Sequence, residues 1–419
     1  VNTPERVVVT GMGAVCSLGN TCSEIYGNLI AGRSGIGPIE GYDPSHLKVR
    51  VAAQARSFEP RDWLDHKAAK RMGRYAQFAI AATNQAVRQA GLDMSSEDPS
   101  RVATFVATAI ADWPMIEEEI KHYILGGPGR TNPFIVPRVS TNMAAGLVSI
   151  HLGATGPGFG VTSACATGSH ALAVGWLMLR SGLADVVVAG GTEAAIAECY
   201  MEAFTVMGAL STSRNHEPEK ASRPFDRERD GFVMGEGGAV LVLETESHAR
   251  RRGANVLAEL AGVGMSSDAH HMVAAHPTGA GAAAAIRQAL ATAALAPEQI
   301  GYINAHGTAT PLNDPVETLA IKAALGEEVA RRVPISSTKS MMGHCIGGAG
   351  ALEAMVSVMV LNCGMIPPTI NLDEPDPACD LDYVANAARR AECLDAVLSN
   401  SFAFGGQNAV LAFRRAEAA

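Results

Sequence analysis

The 419-residue chain has few aromatic side chains (5%), little charge (18%) and no positive surplus, since 33 Lys and Arg stand against 42 Asp and Glu for a net charge of −9. Sparse charge beside 47% hydrophobic residues excludes a solvated, disordered chain and leaves material for a large core. The missing cationic field excludes general binding to nucleic acid or an anionic membrane; a local basic patch remains compatible with it. None of the eight Cys forms a CxxC pair or a zinc-type Cys/His spacing, and they are too sparse for a secreted disulfide framework, so a reduced, cytoplasmic protein is expected. No apolar run, Ala349 to Leu361 included, reaches the ~20 residues of a bilayer span, and no basic segment precedes a signal-length apolar run near Val1–Val9. No membrane attachment is expected.

Glycine (43 residues) and small aliphatics are abundant, which points to close backbone packing. Short β-branched runs alternate with Ala/Leu-rich stretches, at Val7–Thr10, Val102–Ala107, Asp185–Ala189, Ala239–Leu243, Ile303–Ala305 and Pro334–Ser337. This alternation predicts an α/β protein with largely parallel, buried strands. Helices are expected over Ala68–Ala90, Ala166–Arg180, Ala282–Ala294, Pro315–Leu325 and Gly350–Leu361. Two of them, around Ala171–Leu179 and Ala349–Leu361, are apolar on every side and belong at the centre of a fold. Each runs from one Gly to another at the same spacing, Gly168 to Gly182 and Gly350 to Gly364, and each follows a polar cluster. That parallel suggests a diverged duplication, with halves at 1–254 and 255–419 and a seam after the charged stretch that ends at Ala254.

Gly11-Met-Gly13 follows a strand, but Cys16 stands where a dinucleotide fingerprint needs its third glycine, so a tight turn is the better reading. Cys165, in Thr162-Ser-Ala-Cys-Ala-Thr-Gly168, falls at the start of a buried helix between small neighbours. A helix N-terminus lowers a thiol pKa and offers N–H groups to an oxyanion, which favours a nucleophile over a packed core Cys. Downstream, His306 follows a strand and lies among Thr308 and Thr310, while Lys339 and His344 precede the second buried helix. A thiol, two histidines and a lysine at strand and helix ends suit one site. Zinc is the rival reading, yet the separations carry no ligand signature, and no metal is expected. Asp314 and Glu317 are candidates to pair with Lys339; helix-start carboxylates are the plain alternative.

Thr162–Gly168, Asn304-Ala-His-Gly-Thr-Ala-Thr-Pro-Leu-Asn-Asp314, Ser337-Thr-Lys-Ser-Met-Met-Gly-His344, Asn400-Ser-Phe-Ala-Phe-Gly-Gly-Gln-Asn408 and Arg223–Gly237 together resemble the β-ketoacyl-[acyl-carrier-protein] synthases, in order and spacing over essentially the whole chain, the KAS II kind above all. The resemblance implies a thiolase fold, five-layered αβαβα with two similar halves, as a dimer. It implies that Cys165 carries an acyl group delivered by acyl carrier protein and that N–H groups of Cys165 and Phe404 form an oxyanion hole. His306 and His344 stabilise the enolate of decarboxylating malonyl-carrier protein, with Lys339 acting electrostatically through Glu317 and His306. Phe404 is the implied gate, and Ile110, Phe134, Ile135, Thr308, Thr310 and Phe402 the substrate-binding residues. Lys67, Lys70, Arg71 and Arg130 fall in segments similar to the carrier-docking surface, suited to an acidic partner. No cofactor is implied, because the phosphopantetheine arm arrives on the carrier.

The chain departs from the family pattern at Ala109-Ile-Ala-Asp112 in place of Gly-Ile-Gly-Gly, at Ile135 in place of a second Phe, and at Gln407 in place of Thr or His. Neutral repacking and an altered chain-length or unsaturation preference both fit these changes. Three functions are in play: a synthase of fatty-acid elongation, active as a homodimer; the ketosynthase subunit of a type II polyketide system with a chain-length-factor partner; and a non-catalytic scaffold subunit. The intact Cys165, His306, His344 and Lys339 argue against the last.

Overall fold

The computed structural model describes residues 5–129, 131–391 and 394–416. Nine strands form one sheet: β1 (Val7–Cys16), β2 (Val102–Ala107), β3 (Val186–Glu193), β4 (Gly237–Thr245), β5 (Ala258–Ser267), β6 (Ile300–Asn304), β7 (Ile335–Ser336), β8 (Ala396–Ala403) and β9 (Gln407–Arg415). Their order is β2-β3-β4-β1-β5-β9-β8-β6-β7. The helices that matter below are α1 (His66–Arg71), α2 (Arg74–Ala90), α3 (Trp113–Gly126), α4 (Thr167–Arg180), α5 (Glu198–Val206), α6 (Ala280–Ala293), α7 (Asn313–Leu325) and α8 (Ala349–Cys363).

The strand order repeats. From the outer edge inward, β2 pairs parallel with β3, which pairs antiparallel with β4, and β4 pairs antiparallel with β1. In the other half β6 pairs parallel with β8, then β8–β9 and β9–β5 run antiparallel. β7 extends the second edge in parallel, where the first has only the bridge Thr104↔Gly158. Within the sheet the two groups of strands join through two residue pairs, Val8↔Glu259 and Val9↔Ala258. The sheet is therefore mixed and not largely parallel as the sequence suggested. A continuous apolar run marks a strand buried on both faces, and antiparallel strands acquire that pattern too when helices cover both sides.

Alternate residues show the layering. Val187, Ala189, Leu241 and Leu243 face the central apolar cluster with α4 and α8, while Val186, Val188, Val240 and Val242 face outward onto α2. In the second half Leu411 and Phe413 face the centre, and Val410 and Ala412 face the cluster with α6 and α7. Helix, one part of the sheet, paired helices, the other part of the sheet and helix make the five layers, and the thiolase-type α/β fold follows.

Glycine at the crossing of α4 and α8 is a steric necessity. A Cβ on Gly168 would lie 2.8 Å from the Ala351 nitrogen and 3.0 Å from the Gly347 oxygen, and one on Gly350 would lie 2.3 Å from Ser169 Oγ. Both helices also end at a left-handed glycine, Gly182 (φ +71°) and Gly364 (φ +69°), the usual way to satisfy terminal carbonyls. The expected helix 68–90 is broken into α1 and α2 at Met72-Gly73, where the extended Gly73 caps α2 and lies so close to Asp112 that a Cβ would touch its carboxylate at 2.7 Å. The stretch 346–363 is long and apolar enough to cross a membrane by composition, with mean hydropathy 1.5, contrary to the expectation from length; 83% of it is buried in the protein core.

Candidate active site

Cys165 sits in a single 3₁₀ turn, Ala164–Ala166, that leads into α4. The turn is tight enough to hold Ala164 at φ +47°, a left-handed conformation that disfavours a side chain. The second half repeats this device at Ile346 (φ +41°), in the 3₁₀ turn before α8. Cys165 is 7% exposed and lines a cavity of about 280 Å³.

That cavity gathers most of the residues singled out from the sequence. Ile110, Cys165, His306, Thr308, Thr310, His344, Phe402 and Phe404 all line it. His306 follows β6 and His344 is fixed by backbone pairing, its N–H donating to the Val233 carbonyl at 2.7 Å and its carbonyl accepting from Gly235 at 2.9 Å. The two imidazoles stand edge to face with centroids 5.5 Å apart, flanked by Phe232 and Phe402. Burial holds both below the ordinary histidine range, and the nearby Lys339 cation adds to the effect, so both are neutral. Among the described residues, His306 Nδ1 and both ring nitrogens of His344 have no hydrogen-bond partner. Buried imidazole atoms left unpaired in a cavity are groups kept for a ligand.

The expected lowering of the Cys165 thiol does not occur. Burial pushes it up to about 11, and Lys339 and the N–H groups of Phe404 and Cys165 offset this only in part. The same N–H pair is what an oxyanion at this position would need. Phe404 is carried on the turn between β8 and β9, with Gly405 at φ +82° and Gly406 at φ +69°. Asp268 pins that turn: its N–H donates to the Gly406 carbonyl at 2.8 Å and its carboxylate accepts from Asn408 Nδ2 at 2.8 Å.

Lys339 and Glu317 lie behind the cavity wall. Lys339 is 1% exposed and donates to the His306 carbonyl at 2.6 Å. Its ion pair is with Glu353 on α8, not with Asp314 or Glu317 as expected. Asp314 instead accepts from the Phe225 N–H at 2.8 Å and faces Arg229 at 3.7 Å. Glu317 accepts from the backbone N–H groups of His306 (2.8 Å) and Gly307 (2.7 Å) and from Asn400 Nδ2 (3.2 Å), which holds the loop bearing His306. Burial pushes Glu353 up to about 7 against the pull of Lys339. Sequence reasoning missed Glu353, although one acid on a helix apolar all round is a signal, because such a group needs a buried partner. It also missed Glu193, fully buried and pushed up by burial to about 7, whose carboxylate gathers Thr108 Oγ1 (2.6 Å) and the N–H groups of Ala109 (3.0 Å), Ile110 (3.3 Å) and Gly347 (3.2 Å).

Phe134 and Ile135 do not line the cavity of the single chain. Phe134 is exposed, with the Arg71 guanidinium 5.5 Å from its ring centroid. Lys67, Lys70 and Arg71 are exposed on α1. Arg130 lies outside the described residues. The atypical Asp112 is 4% exposed and paired with Arg138 Nε at 2.7 Å, next to Ala111 at φ +63°. Gln407 is exposed. Among the described residues no group of three or more His, Cys, Asp or Glu side chains is placed to hold a metal ion.

A thiol at a helix start, two N–H donors beside it and two neutral imidazoles across one cavity are the groups that acyl transfer through a covalent nucleophile requires. The family models described as "Beta-ketoacyl synthase, N-terminal domain" and "Beta-ketoacyl synthase, C-terminal domain" match residues 4–249 and 257–373, and the chain belongs to the β-ketoacyl synthase family. It is 45% identical over 411 residues to "3-oxoacyl-[acyl-carrier-protein] synthase 2" of Synechocystis sp., covering 98% of each chain, and 43% identical over 410 residues to the protein of that name from Coxiella burnetii, again covering 98% of each. Similar solved structures are the ishigamide ketosynthase/chain length factor (TM-score 0.92, 35% identity, 99% of this chain and 100% of that one) and a β-ketoacyl synthase from Burkholderia phymatum (TM-score 0.89, 37% identity, the same coverage). A third is a ketosynthase solved with its type II polyketide acyl-carrier protein (TM-score 0.90, 34% identity, the same coverage).

Proposed function

We propose that this chain is an acyltransferase of fatty-acid elongation that condenses malonyl-acyl-carrier protein with an acyl group held on Cys165. The observation that carries the reading is the shared cavity of Cys165, His306 and His344, with both histidines neutral and unpaired. In the first half-reaction the Cys165 sulfur attacks the thioester carbonyl of an acyl carrier protein. The Phe404 and Cys165 N–H groups stabilise the oxyanion, and the thiol proton leaves with the phosphopantetheine sulfur. In the second, the bond from malonyl α-carbon to carboxylate breaks, carbon dioxide departs, and the electron pair becomes a thioester enolate. Imidazole N–H donors on His306 and His344 stabilise the enolate oxygen better than an imidazolium, which would give up its proton. The α-carbon then attacks the acyl carbonyl, the carbon–sulfur bond to Cys165 breaks, and a β-ketoacyl-carrier product two carbons longer is released. Lys339 and Glu317 are positioning residues that hold the His306 loop through its backbone. No resident cofactor enters this scheme.

The reading includes a division into halves at 1–254 and 255–419, supported by the repeated strand order. It includes carrier docking at Lys67, Lys70, Arg71 and Arg130, a cytoplasmic location, and a dimer in which Phe134 and Ile135 meet a second subunit. The exposed apolar side chains Ile124, Leu125, Phe134, Val136 and Ile150 support the last point. A second reading, the ketosynthase subunit of a type II polyketide system with a chain-length-factor partner, is favoured by the likeness to the ishigamide pair. The test is reconstitution with acyl- and malonyl-carrier proteins. The expected result is a β-keto product and released carbon dioxide from a homodimer acting alone, with no product from Cys165→Ala. Activity only with a co-purified partner subunit supports the polyketide reading, and no product in either setting contradicts both.

A further inference from the structure

The polar lining of the cavity includes Asp268, Thr308, Thr310, Asn313 and Asn408, and its apolar lining, with Ile110, Tyr200, Phe204, Ile346 and Phe404, packs in one cluster with Cys165. The polar groups suit the amides of a phosphopantetheine arm, and the apolar cluster suits an alkyl chain on Cys165. Tyr200 and Phe204 are one turn apart on α5, rings edge to face at 4.9 Å, and Phe204 in turn meets Phe232 at 5.4 Å and Phe404 at 6.3 Å. Behind Tyr200 stands Trp113 of α3, at 5.1 Å between ring centroids, which does not itself line the cavity. Tyr200 thus stands between the cavity and Trp113 of α3.

The ring is held from its backbone as well as its faces. One carboxylate, Glu117 on α3, accepts from the Trp113 indole N–H at 3.1 Å and from the backbone N–H groups of Cys199 at 2.9 Å and Tyr200 at 3.2 Å. It caps free N–H groups in the first turn of α5 and fixes the indole that backs Tyr200. Lys121–Glu198 adds a second tie between the helices at 3.4 Å. An aromatic side chain has two rotatable bonds, and this one is packed on both sides, so it does not swing aside for a longer chain.

We infer that Tyr200, backed by Trp113 and held by Glu117, is the stop that limits the acyl chain on Cys165, and that the substrates are short-chain acyl thioesters. This rests on Cys165 being the acylated nucleophile. The experiment follows acylation of the full-length protein by intact mass, using butyryl-, octanoyl- and palmitoyl-carrier protein. Wild type reacts with palmitoyl at least roughly tenfold more slowly than with butyryl, Tyr200→Ala brings the ratio to within about threefold, and Tyr200→Phe, which keeps the ring, retains the wild-type profile. Tyr200→Leu replaces Tyr200→Ala if thermal melting shows the latter unfolded. Equal rates across the donors in wild type, or an unchanged profile in a folded Tyr200→Ala or Tyr200→Leu, overturns the stop. A protein that takes up no acyl group from any donor contradicts the nucleophile assignment itself, and the stop with it.

Discussion

At the scale of single residues the site sets a neutral thiol against two neutral imidazoles. With Cys165 pushed up to about 11 by burial, its thiolate fraction grows with pH throughout the neutral range. Alkylation by iodoacetamide is therefore expected to rise about tenfold per pH unit with no plateau below about pH 9, whereas an unburied thiol levels off near its ordinary pKa of about 8.5. Replacing His306 or His344 by Ala removes an enolate donor, with a predicted fall in malonyl decarboxylation of roughly a hundred- to thousandfold while acylation of Cys165 persists. Separate assays of the half-reactions check this. The meeting of Cys165, His306 and His344 in one cavity was legible because all three sit at strand and helix ends. The thiol's raised pKa was not, because the apolar wall responsible is assembled from segments far apart in sequence, among them Phe232, Ile346 and Phe402.

At the scale of elements, α4 and α8 are the axis of the molecule. Their all-apolar character and matching glycines were readable in sequence, as was their central place. Gly350→Ala pushes a methyl group into Ser169, and a loss of about 1–3 kcal/mol by urea denaturation is expected. Glu353→Ala strands the Lys339 cation in the core, for a loss of about 3–5 kcal/mol, and Glu353→Gln is expected to be milder because it keeps an acceptor for the ammonium. Less legible were β5, β8 and β9. Asn400–Asn408 reads as a motif, yet its residues are the end of one strand, a glycine turn and the start of the next, and register between strands depends on partners that local patterning does not name. α3 was missed for a related reason: Glu119 is buried on its inner side, and Glu117 works as a cap for α5.

At the scale of the whole molecule, the seam between the halves is flanked by a charged cluster. Burial raises Glu244, but Arg252, His248 and Thr10 outweigh it and hold the carboxyl at about 2, while Glu244 and Glu97 raise His248 above its ordinary range. The two contributions have opposite pH dependence. Glu244 stabilises the fold above its ordinary carboxylate pKa and loses that contribution as pH falls toward about 2; His248 stabilises the fold below its ordinary pKa, and the contribution fades as pH rises through its raised value. The stability difference between wild type and His248→Gln is accordingly expected to be largest below the ordinary histidine pKa of about 6.5 and to shrink as pH rises past it, read from denaturant midpoints. The repeated strand order explains why small residues outnumber bulky rings: the two parts of the sheet close on a shared helical layer only where backbones approach. The equal spacing of Gly168–Gly182 and Gly350–Gly364 brackets the two helices of that layer. The account as a whole depends on an acyl group residing on one sulfur. Incubation with acyl-carrier protein followed by peptide mapping is expected to place a single acyl mass increment on the Cys165 peptide and none in Cys165→Ala; an increment on another residue, or none in the wild type, would contradict it.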